Sequence, residues 1–246
     1  MSASGSVCFI IAPAEEKREQ LVVECEKLGF TTFCFLDYCD DNGKGLRCKK
    51  EGGKTVTDAF SGLVIFAENS GKSLKVARDN RKGYDFVAVA SGKEEILTEC
   101  VVESGGIIDA IIPDFARTKA GRDLAGSCAK TGTALFLDFS QILKSPLYFR
   151  HIVIRRMGEA VQRLQGKNDA KLVISSLTDD MMLLRRPAEL NAFFQYIGMR
   201  DCVAGKSLAE TPKGILESNM ERMGCPALGV KRILEPQKTN DNEEGA

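Results

Sequence analysis

The sequence predicts one α/β domain built as a β/α barrel of the TIM-like kind, distorted or incomplete. Short, continuous apolar runs recur along the chain, the pattern of strands covered on both faces. Segments of helical period separate most of them, and such alternation implies parallel strands joined by crossovers. Eight strand candidates in 246 residues suit a barrel better than an open doubly wound sheet.

The strand candidates, in order, are Val7 to Ala12, Thr31 to Leu36, Gly62 to Ala67, Phe86 to Ala90, Ile107 to Ile112, Ala134 to Asp138, Leu172 to Ser176 and a weaker eighth, Val230 to Leu234. Between them lie helical stretches at Ala14 to Leu28, Lys72 to Lys82, Glu94 to Ser104, Arg122 to Thr131, Leu147 to Leu164 and Pro187 to Ile197. Gly29 and Gly132 stand where helices stop, and Pro187 stands where a first-turn proline is tolerated. Asp40 to Lys54 is glycine-rich and charged, the composition of a surface loop. The barrel is expected over residues 1–235, and 236–246, with Asp241, Glu243 and Glu244 and no apolar anchor, as a disordered acidic tail.

No apolar run nears the roughly 20 residues that cross a bilayer, so a soluble, intracellular protein is expected. Nine cysteines, spread through the chain without a C-x-x-C pair, argue against a disulfide framework or a zinc site. They are expected as small apolar side chains in a reduced core. The formal net charge of zero hides an uneven distribution. Residues 1–41 carry eight acids and three bases, 42–93 eleven bases and five acids, and 140–171 seven bases and two acids. Two basic regions suit a polyanion binder, because phosphate contact needs local and not overall positive charge; solvated lysine-rich helix faces are the plainer reading.

Several chemistries fail on spacing. Gly71-Lys72-Ser73 and Gly205-Lys206-Ser207 each lack the earlier glycine of a phosphate-binding loop, with Phe66 and Arg200 in its place. His151 is the only histidine, so neither a histidine-rich metal centre nor a Ser-His-Asp triad has support. A divergent metal-dependent phosphoesterase would have to use Asp37, Asp114, Asp138 and His151, and each carboxylate is equally explained as a loop residue or helix cap. The cations are more suggestive. Arg117, Lys119 and Arg122 follow the fifth strand candidate, Arg185 and Arg186 follow the seventh with Ser175 and Ser176, and in a barrel both loops open on one face. Guanidinium forks and hydroxyls suit a sugar-phosphate backbone, and Arg155 with Arg156 would widen the patch.

The order of Val173-Ile174-Ser175-Ser176, Leu184-Arg185-Arg186-Pro187-Ala188-Glu189-Leu190, Ile197-Gly198-Met199, Lys206-Ser207 and Thr211-Pro212 leading to Asn219 resembles the ribonuclease P protein component 3 family, the archaeal counterpart of the eukaryotic 30-kDa subunit. Tyr84 to Val89, Ile108 to Ile112 and the loop from Arg117 to Asp123 are similar to it as well, so the likeness spans roughly Tyr84 to Asn219. It implies a barrel related to PHP-type metal phosphoesterases without their ligands. It also implies a subunit with no catalytic residue of its own, which stabilises the catalytic RNA during removal of the 5′ leader from precursor tRNA. The RNA-binding set on this reading is Arg117, Lys119, Arg122, Arg155, Ser175, Ser176, Arg185, Arg186 and Lys206. The implied partners are the ribonuclease P RNA, precursor tRNA indirectly, and the component 2 protein, in a possible heterotetramer; the chain binds no cofactor and magnesium belongs to the RNA. An archaeal source implies a cytoplasmic enzyme and a eukaryotic one a nuclear enzyme, and the want of a strong basic targeting run favours the former. Cys8-Phe9-Ile10-Ile11-Ala12-Pro13 lacks the acids with which family members often begin, and the 42–54 loop is no family hallmark.

Overall fold

A computed structural model describes residues 5–11, 15–45, 59–167 and 170–224. Seven parallel strands form one sheet in sequence order: β1 (Ser6–Ile11), β2 (Phe30–Asp40), β3 (Phe60–Phe66), β4 (Phe86–Ser91), β5 (Ala110–Pro113), β6 (Ala134–Asp138) and β7 (Leu172–Ser175). The helices are α1 (Glu15–Leu28), α2 (Ser70–Asn80), α3 (Glu94–Glu103), α4 (Arg122–Thr131), α5 (Ser140–Lys144), α6 (Leu147–Leu164), α7 (Pro187–Tyr196), α8 (Asp201–Leu208) and α9 (Glu210–Gly224). The sheet nearly closes into a barrel. At the seam Ile10 bridges Thr178, Ile11 N donates to Thr178 O at 3.4 Å, and Phe9 N donates to the Ser175 hydroxyl at 3.3 Å.

Because successive side chains of a strand point to opposite faces, the same runs fill two separate layers. Val7, Phe9, Leu36, Val64, Phe86, Ala88, Phe136 and Val173 pack inside the barrel, while Cys8, Ile10, Leu63, Ile65, Val87, Val89, Leu135 and Ile174 pack outward under the helices. Phe9 lies 5.0 Å from the ring centres of both Phe86 and Phe136. A Cβ added at Gly62 would lie 2.4 Å from Leu36 Cδ2 and 3.1 Å from Cys34 Sγ, so the interior is full there.

The other end of the molecule explains what stoppers this interior. Ile215 and Leu216 of α9 join the inner cluster, Asn219 Nδ2 donates to Asp85 O at 3.0 Å, and Arg222 donates to Gly106 O at 3.0 Å. These acceptors precede β4 and β5, so α9 lies across the amino-terminal end of the barrel. Neither α8 nor α9 was expected from the pattern, which Gly205, Pro212 and Gly214 interrupt. Pro212 falls in the first turn of α9, where its missing N–H has no intrahelical partner to lose.

Boundaries otherwise move little. The second strand runs on to Asp40, and the fifth begins three residues late because Gly105 and Gly106, with φ of +57° and +84°, turn the chain out of α3 first. Gly132 ends α4 with φ of +72°, as expected, its N–H donating to Cys128 O. Among the described cysteines Cys8, Cys25, Cys34, Cys39, Cys100 and Cys128 are buried and Cys202 is exposed, all as free thiols. The expected eighth strand, the acidic tail, Cys48, Cys225 and most of the 40–54 loop lie outside the described residues.

Candidate nucleic-acid interface

The loop between β5 and α4 presents the largest group of anticipated cations, and its backbone is fixed from three directions. Asp114 N donates to Ser91 O at 3.0 Å, Gly121 N donates to Glu94 Oε1 at 2.6 Å, and Arg117 packs over Gly92. From α6, Arg156 donates to Phe115 O at 3.0 Å and Ala116 O at 2.7 Å, and Arg163 donates to Ala120 O at 3.2 Å. Ala120 itself adopts φ of +48°, a conformation an alanine keeps only where its surroundings impose it. The result is a stiff loop that holds its charges outward. The Arg117 side chain is 79% exposed, with an ion pair to Asp114 at 3.4 Å, and Lys119 and Arg122 are exposed as well. Arg155 on α6 is exposed as well, 4.0 Å from Glu159.

The remaining anticipated residues are placed differently. Ser175 is fully buried, its hydroxyl engaged by Phe9 N at the seam, and Ser176 is buried next to it. Arg185 folds back on its own loop, donating to Met182 O at 2.8 Å and Leu184 O at 2.7 Å. Arg186 is exposed at the start of α7, where its N–H donates to Glu189 Oε2 at 3.1 Å. Lys206 is exposed on α8, beyond the turn that Gln165 and Arg200 hold at the amino-terminal end of the barrel. So the structure leaves Arg117, Lys119, Arg122 and Arg155 exposed on the β5–α4 segment and on the helix fastened to it, buries the two serines, and puts Lys206 on α8.

Asp138 is the buried carboxylate of the mouth. Its Oδ1 accepts from Leu177 N at 2.9 Å and Ser140 N at 2.8 Å, and its Oδ2 accepts from the Ser140 hydroxyl at 3.0 Å. Burial raises its pKa from 3.8 to about 6, against the opposing pull of those hydrogen bonds and of the Lys144 charge. Lys144 in turn donates to Leu177 O at 3.1 Å, so this network ties α5 to the loop after β7. The four groups a phosphoesterase would need are dispersed. Asp37 accepts from the Tyr84 hydroxyl at 3.1 Å, Asp114 pairs with Arg117, Asp138 is held as above, and His151 is exposed on α6. Among the described residues no three His, Cys, Asp or Glu side chains gather as a metal-binding group, and no helix is long and apolar enough to cross a membrane.

Sequence reasoning missed Arg156 and Arg163 as the residues that position the cationic loop. It also missed the Asp138–Ser140–Leu177 network, since a helix-capping acid looks the same in sequence wherever the helix lies. A nearly closed seven-stranded β/α barrel with a packed interior and a pinned cationic loop at its mouth is the class that the fold and this surface define. The model of the RNase P subunit p30 family matches residues 8–224, and the chain belongs to that family of ribonuclease P protein subunits. Ribonuclease P protein component 3 of Methanococcus maripaludis strain C5 is 28% identical over 160 residues, 64% of this chain and 68% of its own length. The component 3 protein of Methanothermobacter thermautotrophicus is 26% identical over 176 residues, 71% of each chain. A chain in the cryo-EM structure of an archaeal ribonuclease P with mature tRNA shares the fold, with a TM-score of 0.74 at 19% identity, over 95% of this chain and 100% of that one.

Proposed function

We propose that this subunit binds the RNA of a ribonuclease P particle through the loop bearing Arg117, Lys119 and Arg122 together with Arg155, and so supports removal of the 5′ leader from precursor tRNA. The observation that carries this reading is the pinned β5–α4 loop: five hydrogen bonds hold its backbone while the Arg117 side chain stays 79% exposed. A loop backbone already held in place adds little ordering cost when its side chains meet phosphates. In this reading the bond cleavage belongs to the RNA and its magnesium ions. The relatives' names and the tRNA-bound archaeal particle support an assembly of RNA and protein, in which a component 2 protein is the expected direct partner and a heterotetramer the expected form. A cytoplasmic archaeal setting fits those relatives.

The test is reconstitution with Arg117→Ala and Arg122→Ala variants. Each lost phosphate contact lowers the slope of log affinity against log salt by about one. Variants that bind the RNA and restore precursor-tRNA cleavage at low magnesium as the parent does would overturn the assignment.

A further inference from the structure

The first turn of α6 leaves an apolar surface uncovered at the mouth of the barrel. Leu147 is 79% exposed, Tyr148 69% and Phe149 39%, and the two rings lie against each other with centres 4.4 Å apart at 40°. Leu147 and Tyr148, left largely in water, forgo most of the stabilisation that burial gives such side chains, and Phe149 beside them is only partly covered, which marks an interaction surface. The chemistry around them says what the partner is. From Ser140 to Gly158 there is no acidic residue, while Lys144, His151 and Arg155 are exposed. Arg150 adds charge even as its guanidinium holds Ser145 O at 3.1 Å and Leu143 O at 3.2 Å. The nearby acids are Glu159 on the same helix, engaged by Arg163 one helical turn beyond Arg155, Asp114 paired with Arg117, Asp138 held by Ser140 and Leu177, and Asp179 and Asp180 after β7, with Asp180 accepting from Met182 N. Charge complementarity therefore favours a polyanion that also offers flat apolar faces. Single-stranded RNA has both: unpaired bases stack on exposed aromatic rings, and phosphates take the flanking cations. Position agrees, since Arg156 and Arg163 fasten this same helix to the loop that carries Arg117.

We propose that Tyr148, backed by Phe149, is a stacking platform for an unpaired base of RNA, with His151 and Arg155 meeting the adjoining phosphates. This rests on the reading that the subunit binds RNA, and it adds a single-stranded subsite beside the cationic loop. Because the chain contains no tryptophan, Tyr148→Trp makes a full-length protein with one reporter at the site. Titration with a 12-nucleotide (about one helical turn) single-stranded oligoadenylate should quench its emission saturably and less at high salt, and a duplex of equal length should quench it far less. Tyr148→Ala should weaken binding of the single strand roughly fivefold to a hundredfold, the range that base stacking commands, while Tyr148→Phe stays within about twofold of the parent. An alanine variant that binds as the parent does overturns the inference, as does emission that ignores RNA and shifts only on addition of a component 2 protein. Arg117→Ala in the same titration separates the two claims. If it weakens binding and Tyr148→Ala does not, the platform is wrong and the RNA-binding reading stands. If neither weakens binding, both fall.

Discussion

Asp138 shows how a single residue can resemble a catalytic group and serve the fold. It sits at a strand end in the mouth of a barrel, where acids often do chemistry, yet its oxygens are taken by Leu177 N, Ser140 N and the Ser140 hydroxyl. With a pKa raised from 3.8 to about 6 in the fold, the native state binds the proton more tightly than the unfolded chain does. Its contribution to stability is therefore complete below about 3.8 and is lost as pH rises through about 6. Asp138→Asn keeps an acceptor for both backbone donors, and in urea titrations it should lack the loss of stability between those two pH values that the parent shows. A variant with the parent's pH profile would refute the assignment. Ser175 makes the companion case. Ser175→Ala leaves Phe9 N at the seam without its partner and should cost about 1–3 kcal/mol in the same titrations, while the folded variant binds RNA as the parent does.

At the scale of elements, α9 and α6 do what no strand does. The helix α9 closes the amino-terminal end by inserting Ile215 and Leu216 beneath the inner cluster. Leu216 is fully buried, so Leu216→Ala should destabilise by about 2–5 kcal/mol, read from the midpoint of denaturant unfolding at unchanged slope. An effect under 1 kcal/mol would mean that the plug is not packed as described. The helix α6 fixes the cationic loop through Arg156 and Arg163 while presenting Arg155 and Tyr148 to solvent. Its period of 3.6 residues separates those roles on adjacent positions, Arg155 outward and Arg156 inward. Charge alone does not tell them apart.

For the whole molecule, the barrel gives its two ends different work. Arg117, Lys119 and Arg122 lie at the mouth, and the opposite end is sealed by α9 with Lys206 on the nearby α8. Charge reversal should reveal this polarity: Arg117→Glu should weaken RNA binding far more than Lys206→Glu in matched salt titrations, and equal losses would argue for diffuse attraction over a site. Much of this was legible in the chain. Seven of the strands, the helices between them, the buried cysteines and the loop bearing Arg117, Lys119 and Arg122 follow from local period, turn chemistry and charge, all properties of neighbouring residues. The seam between β1 and β7, the burial of Ser175 and Ser176, the placement of α9 and the anchoring of the cationic loop did not follow. Each joins residues far apart in sequence, as Phe9 joins Ser175 and Asn219 joins Asp85. The sequence by itself determined which segments become strands and helices and where positive charge is plentiful. Only the tertiary structure decided which hydroxyls and guanidinium groups the fold consumes and which it leaves exposed, because closing a barrel sets which side chains lie inside it, under its helices or on its rim.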